Sequence, residues 1–344
     1  MSSRPAVPDA KDLGSSTTPL SAQYDLAMLD LDGVVYVGRV AVPGAAEALS
    51  AARDNGLRLA YITNNASRPP LEVVQHLRDL SMPDVADGDV VTSAQAVAHL
   101  VADAVPPGSA VLMVGGEGLR LCLEERGLRC VESIDDGPVA VVQGFHPDLG
   151  WRQLAEASYA IQRGVPWFAS NTDLTVPTAR GMAPGNGSLV QMVHNATGAD
   201  PIVAGKPEKA LFDETIERVG GKHPIMVGDR LDTDIDGAIN AGVDSLAVLT
   251  GVSTLDDLCG APPGHRPTFV AADLGGLNDV QAVVEFDGDT AVCGDARAVR
   301  RGDELDVEGA EPLSTEAIRA VVGLAWHLHD RSDVTIRAGG TMTT

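Results

Sequence analysis

Two carboxylates two residues apart, Asp30 and Asp32, stand at the end of the apolar run Leu26-Ala27-Met28-Leu29, and Gly33 follows at once. A short apolar run without helical spacing reads as a buried parallel strand. In an open α/β sheet, chemistry lies just past the carboxyl ends of such strands, and glycine lets the backbone turn there. Taken alone, the stretch is equally a strand entering an ordinary Asp-Gly turn. Three more strand ends change that balance. Leu57 to Ile62 stops at Thr63-Asn64-Asn65, Pro201 to Ala204 at Gly205-Lys206-Pro207, and Pro224 to Val227 at Gly228-Asp229-Arg230-Leu231-Asp232-Thr233-Asp234. Acids meeting at one sheet edge repel by a few kcal/mol at about 4 Å in a partly dry site. A hard dication such as Mg²⁺ relieves that repulsion and prefers oxygen ligands. The Lys206 ammonium and the Thr63 hydroxyl supply donors for phosphate oxygens. Together these groups describe phosphoryl chemistry by positioning and charge neutralisation.

The elements that must hold these residues alternate between strand and helix. A helix opens at Pro43-Gly44 and closes at Gly56; others follow Pro69-Pro70 and span Ser93 to Ala104. Pro106-Pro107-Gly108 is a hinge. Beyond it, strands at Val111–Val114, Val139–Val142 and Val165–Ala169 alternate with helices, forming a second α/β unit. The segment from Gly181 to Ser188 reads as a plain loop and helix cap, since its glycine spacing fits neither a P-loop nor a dinucleotide fingerprint. The expected organisation is a tail without structure over 1–20, a doubly wound parallel-sheet core over 21–105 and 200–280, an inserted α/β cap over 106–199, and a small α+β extension over 281–344. The extension is too small to be comfortably independent and is expected to pack on the main body or a partner.

The chain has 344 residues, 44% hydrophobic and 21% charged, enough for a buried core. A net charge of −23 opposes nucleic-acid or anionic-membrane partners, which need a basic face. It does not oppose a small phosphorylated metabolite, because a bound metal reverses the local field. Aromatic residues are only 3% of the chain, so platforms for stacking bases are scarce. The four cysteines form no C-x-x-C pair and read as reduced thiols, which with the lack of an apolar signal core suggests a cytoplasmic protein without a membrane span.

The motifs Asp30-Leu31-Asp32-Gly33-Val34, Thr63-Asn64-Asn65, Gly205-Lys206-Pro207 and Gly228 to Asp234 resemble, in order, the four motifs of the haloacid dehalogenase superfamily, over about residues 22 to 275. The insertion between the second and third motifs, with Asn171-Thr172-Asp173, Pro177 and Pro184-Gly185-Asn186-Gly187, is similar to the C2-type cap of NagD-like phosphatases. The carboxyl-terminal segment is similar to that of actinobacterial glycerol 3-phosphate phosphatases. The resemblance implies a HAD-like, Rossmannoid core and dephosphorylation of glycerol 3-phosphate with Mg²⁺, and it raises dimerisation through the cap.

By the same chemistry, Asp30 is the nucleophile and Asp32 the acid, then base. Asp30, the Asp32 carbonyl and Asp229 bind the metal, while Asp234 supports Lys206 or a metal-bound water. Gly33, Thr63, Asn64, Asn65 and Lys206 bind the phosphorylated end of the substrate. Asn171 and Asp173 either face the substrate or form a hydrogen-bonded turn. Asp232 is expected in solvent, and His146 and His194 at a surface or helix end. A dehalogenase has no leaving alcohol for Asp32 to protonate, and the Asp-Lys-Thr-Gly-Thr of P-type ATPases is absent. Phosphatases for phosphoglycolate, nucleoside monophosphates or aryl phosphates remain alternatives, as does a receiver-type signalling module. The extension has no Arg/Gln-x-x-Gly-x-Gly/Ala loop for a coenzyme, so acetyl transfer is not expected.

Overall fold

The structure, a computed structural model, describes residues 12–178, 180–332 and 337–339. It divides into two compact units, residues 1–59 with 221–344, and residues 60–220.

The first unit is built on four parallel strands in the order Phe269–Ala271, Asp244–Val248, Pro224–Gly228, Leu26–Leu29. Leu26–Leu29 is buried at every position, as expected for a strand covered on both faces. Its register on Pro224–Gly228 pairs Leu29 with Val227, which brings Asp30 and Asp229 to the same carboxyl edge. The helix Ala45–Asp54 starts after Gly44, whose φ of 78° is open to glycine, and buries Leu49 and Ala52.

The carboxyl-terminal segment belongs to this unit. Strands Glu285–Asp287, Thr290–Cys293, Ala296–Arg301 and Glu304–Glu308 form an antiparallel meander, with Arg337–Ala338 added in parallel. The helix Thr315–Ser332 shares one apolar core with Ile235, Leu258 and Val270. Polar ties fix the same contact. Arg266 donates two 2.7 Å bonds to Asp330 and lies over the Trp326 ring, while Trp326 Nε1 donates to the Leu258 carbonyl. The expectation that this segment packs on the main body holds.

The amino-terminal tail departs from expectation. Residues 1–11 lie outside the described residues, but the rest of the tail is ordered. Gly14 N–H donates to Thr268 O, Ser16 N–H donates to Gln281 O, and Leu20 is fully buried. A Ser/Thr-rich segment without its own core is held here by backbone bonds to elements distant in sequence.

In the second unit, Tyr61, Ile62 and Thr63 at the end of the strand Arg58–Thr63 pair in parallel with Val90–Thr92, and the helix Ser93–Ala104 follows, capped by Thr92 and Gln95. A five-stranded parallel sheet has the order Ile202–Val203, Trp167–Ala169, Ala140–Gln143, Ala110–Val114, Arg129–Val131. Ile202–Val203 pairs with Trp167–Ala169, so the inserted sheet extends past the expected boundary at 199. The Gly181 segment is also not a plain loop, since Gly181–Pro184 pairs antiparallel with Thr175–Thr178 and the helix Asn186–Thr197 follows directly. Among the described residues, no helix is long and apolar enough to cross a membrane.

Candidate active site

The first unit gathers the acids. Asp30 N–H donates to Val227 O at 2.9 Å, extending the ladder of its strand by one bond. Asp229 follows the strand Pro224–Gly228, and Asp234 lies in the π-helical turn Leu231–Ile235. Carboxylate oxygens of Asp30, Asp229 and Asp234 lie within 4.8 Å of one another. Asp229 and Asp234 are buried, at 1% and 0% exposure. Asp229 Oδ2 accepts the Val252 N–H at 2.6 Å, and Asp234 Oδ2 accepts the Arg230 N–H at 3.1 Å.

Glycines make this crowding possible. Gly33 has φ +96°, and a Cβ there would sit 2.6 Å from Asp229 Oδ2. A Cβ on Gly251 would overlap the same oxygen. An all-oxygen set of this kind suits a hard dication. Asp234, expected only as support, is as much part of the cluster as the other two acids. The Asp32 carboxylate does not join it. Asp32 is exposed and bridges to Tyr36 at the start of the hairpin Tyr36–Val37 with Val40–Ala41. Asp232 is exposed, as expected, and pairs with Arg230.

The sequence reading missed the loop Thr250-Gly251-Val252, which closes over Asp229 and whose Thr250 hydroxyl donates to Gly33 O at 2.5 Å. A Thr-Gly pair just past Asp244–Val248, at the edge that carries Asp30 and Asp229, was the available signal.

The second unit gathers the phosphate-type donors. Thr63, Asn64 and Lys206 are buried, at 7%, 8% and 3% exposure. Thr63 Oγ1 accepts the Asn65 N–H, while Asn65 is exposed and caps Ser67 through its Oδ1. Asn64 Oδ1 accepts the Lys206 N–H at 2.8 Å, and Asn64 Nδ2 donates to Lys206 O at 2.9 Å and Asp173 Oδ1 at 3.1 Å. Asn171 Nδ2 donates to Asn64 O at 2.6 Å, and Asn171 Oδ1 accepts the Asp173 N–H. Of the two readings for Asn171 and Asp173, the hydrogen-bonded turn is therefore present. His194 Nδ1 meets the Ala199 carbonyl at its helix end, and His146 pairs with Asp148, as expected of bland histidines.

Residues 27–129 match the haloacid dehalogenase-like hydrolase family, and residues 203–277 match a second, HAD-hydrolase-like family. The chain belongs to the haloacid dehalogenase-like hydrolases. It is 44% identical over 322 residues to D-glycerol 3-phosphate phosphatase of Mycobacterium tuberculosis, covering 91% of this chain and 90% of that protein. It is 37% identical to acid sugar phosphatase of Staphylococcus aureus, covering 73% of this chain and 96% of that one. Among solved structures, a glycerol phosphate phosphatase from M. tuberculosis in complex with magnesium is similar, with TM-score 0.82 and 40% identity over 94% of this chain and 96% of that chain. A 4-nitrophenylphosphatase from Thermotoga maritima has TM-score 0.70 and 32% identity, over 75% of this chain and 98% of its own. The α/β fold with an inserted cap unit, expected from the motifs, is the fold of this family.

Proposed function

We propose that this chain is a Mg²⁺-dependent phosphomonoesterase that hydrolyses glycerol 3-phosphate through an aspartyl phosphate. The observation that carries the reading is the meeting of Asp30, Asp229 and Asp234 within reach of one cation. Asp30 attacks phosphorus, and the phosphorus–oxygen bond to the alcohol breaks. Asp32, on its exposed turn, gives the departing oxygen a proton. It then takes a proton from water, which attacks the same phosphorus and frees Asp30 and inorganic phosphate. Asp30, Asp229 and Asp234, with the Asp32 carbonyl, would hold Mg²⁺, which when bound neutralises charge on the phosphoryl oxygens. Lys206 and Thr63 supply cationic and hydroxyl donors to those oxygens.

The substrate assignment is supported by similarity to the glycerol 3-phosphate phosphatase along almost the whole chain, extension included. Shortage of aromatic residues fits a small polar ester better than a base or aryl group. Similarity over 73% of this chain to an acid sugar phosphatase favours sugar phosphates as the second reading. Phosphate release with Mg²⁺ across glycerol, sugar, glycolate, nucleoside and aryl phosphates decides between them. Glycerol 3-phosphate is expected to give the highest kcat/KM. A higher value for a sugar phosphate overturns the substrate, and no release from any ester overturns the activity.

A further inference from the structure

We infer that Asn64 is a positioning residue that sets the place of Lys206, and that the Asp173 carboxylate sets the orientation of the Asn64 amide. Asn64 holds the backbone of Lys206 from both sides, its Oδ1 on the N–H and its Nδ2 on the carbonyl, across 142 residues of sequence. Only one orientation of the amide serves both bonds. Asp173 selects that orientation, because its Oδ1 accepts from Nδ2 and would repel an amide oxygen turned towards it. Asp173 is itself held by its backbone: its N–H donates to Asn171 Oδ1, and its carbonyl accepts the N–H of Gly187, in the first turn of the helix Asn186–Thr197, at 2.8 Å. The backbone leaves room for this and nothing more, since a Cβ on Gly205 would lie 2.6 Å from Asn64 Oδ1. The residues that the motifs suggested as substrate contacts thus act one step back, through the lysine.

This inference rests on the assignment of Lys206 to the phosphate oxygens, so its test separates the two. Steady-state kinetics are measured on the full chain with glycerol 3-phosphate and 4-nitrophenyl phosphate. Asn64→Asp replaces a donor between two acceptors by a third acceptor. It is expected to lower kcat about 100-fold, as for a small misplacement of a catalytic group. The loss should be equal for both esters, because Lys206 acts on the phosphoryl group rather than the leaving group. Adding Asp173→Asn restores a donor opposite the new carboxylate and should recover about tenfold of that loss. Asp173→Ala alone should lower kcat while Asp173→Asn does not. In a Lys206→Ala background, Asn64→Asp should cost nothing further, since both act through one group. A Mg²⁺-dependent rise in melting temperature, read from the acids of the other unit, checks folding of each variant.

Near-wild-type kcat in Asn64→Asp and Asp173→Ala, with Lys206→Ala inactive, overturns the inference and leaves the lysine assignment standing. Fully additive losses with Lys206→Ala also overturn it, as the mark of a merely structural role. Near-wild-type activity in Lys206→Ala ends the lysine assignment itself.

Discussion

Asp30, Asp229 and Asp234 in the first unit, and His99, Glu214 and Glu217 in the second, each bring three metal-ligand side chains within 4.8 Å. Their make-up differs. Around Glu214 the partners include two guanidinium groups. Arg126 Nη2 donates to both Glu214 oxygens at 2.8 and 3.0 Å, and Arg218 Nε and His99 Nδ1 meet the same carboxylate. Burial alone would raise the Glu214 pKa, but the bonds from Arg218 and His99 and the charges of Arg218 and Arg126 outweigh it. The carboxyl is held below the usual carboxylate range. In the first unit three carboxylates of like charge turn towards one point, and the backbone N–H groups of Val252 and Arg230 orient two of them. Closeness of ligand atoms is common to both clusters. What distinguishes a cation site is several oriented acids aimed at one place, whereas the Glu214 cluster sets one buried acid among guanidinium groups and ties the helices Ser93–Ala104 and Ala210–Val219.

The largest effect that tests this contrast is in the acids. Asp30→Asn is expected to lower kcat by about a thousandfold or more, as for loss of a nucleophile. Asp229→Asn should abolish the Mg²⁺-dependent rise in melting temperature, which reflects a mass-action stabilisation of about 2.7 kcal/mol at a magnesium concentration 100 times Kd. Glu214→Gln should leave that rise intact. Thermal melts with and without a chelator read both outcomes, and a magnesium response that vanishes in Glu214→Gln instead would reverse the two assignments.

Next comes stability alone. Removing both guanidinium groups in Arg126→Leu with Arg218→Leu leaves a carboxylate of 1% exposure with only His99 of the three partners named above. The expected cost is about 3–5 kcal/mol, the scale of breaking a buried ion pair by deleting one side. Urea unfolding measures it. A cost near zero would mean that the cluster is solvated, and the comparison would lose its second term.

The acid half of the site was legible in the sequence because strand ends are local events. An apolar run stopping at Asp30 or Asp229 announces its own position at the sheet edge, and the register Leu29 to Val227 does the rest. The roles of Asn64, Asn171 and Asp173 were not legible. Their types suit a substrate contact or a turn equally, and what decides is which backbone lies opposite. Asn64 finds Lys206 across 142 residues. The three-carboxylate cluster also absorbed Asp234, because a π-helical turn over Leu231–Ile235 carries it back towards Asp229. The motif placed Asp234 at the site in a supporting role, and the turn sets its carboxylate beside the other two. The Ser/Thr-rich tail misleads for the opposite reason, since composition describes what a segment can bury by itself and says nothing of backbone elsewhere that accepts its bonds.

A smaller effect sharpens the acid side. In Gly251→Ala the new Cβ meets Asp229 Oδ2, whose partner Val252 is the next residue. The carboxylate must turn away from its N–H donor. Loss of such an orienting contact costs metal sites about 10–100-fold in affinity. A magnesium titration followed by melting temperature should shift by that factor while the melting temperature in chelator changes little. An unchanged titration would show that Asp229 is held by its neighbours without this loop.

The smallest effect lies in pH and bears on the Glu214 side. Its folded pKa is lowered, so its ion pairs contribute fully above the unfolded carboxyl value of about 4.3. That contribution fades as pH falls through the lower folded value, because the unfolded chain then binds a proton that the fold resists. Glu214→Gln removes the titration. The variant should therefore be less stable than wild type at pH 7, and the gap should narrow steadily below about pH 4.3. Urea unfolding at a series of pH values in chelator reads the gap without interference from magnesium. A gap of constant size down to about pH 3, well below the unfolded carboxyl value, would mean that Glu214 holds its helices by shape and neutral hydrogen bonds. The guanidinium groups of Arg126 and Arg218 would then contribute nothing to holding it.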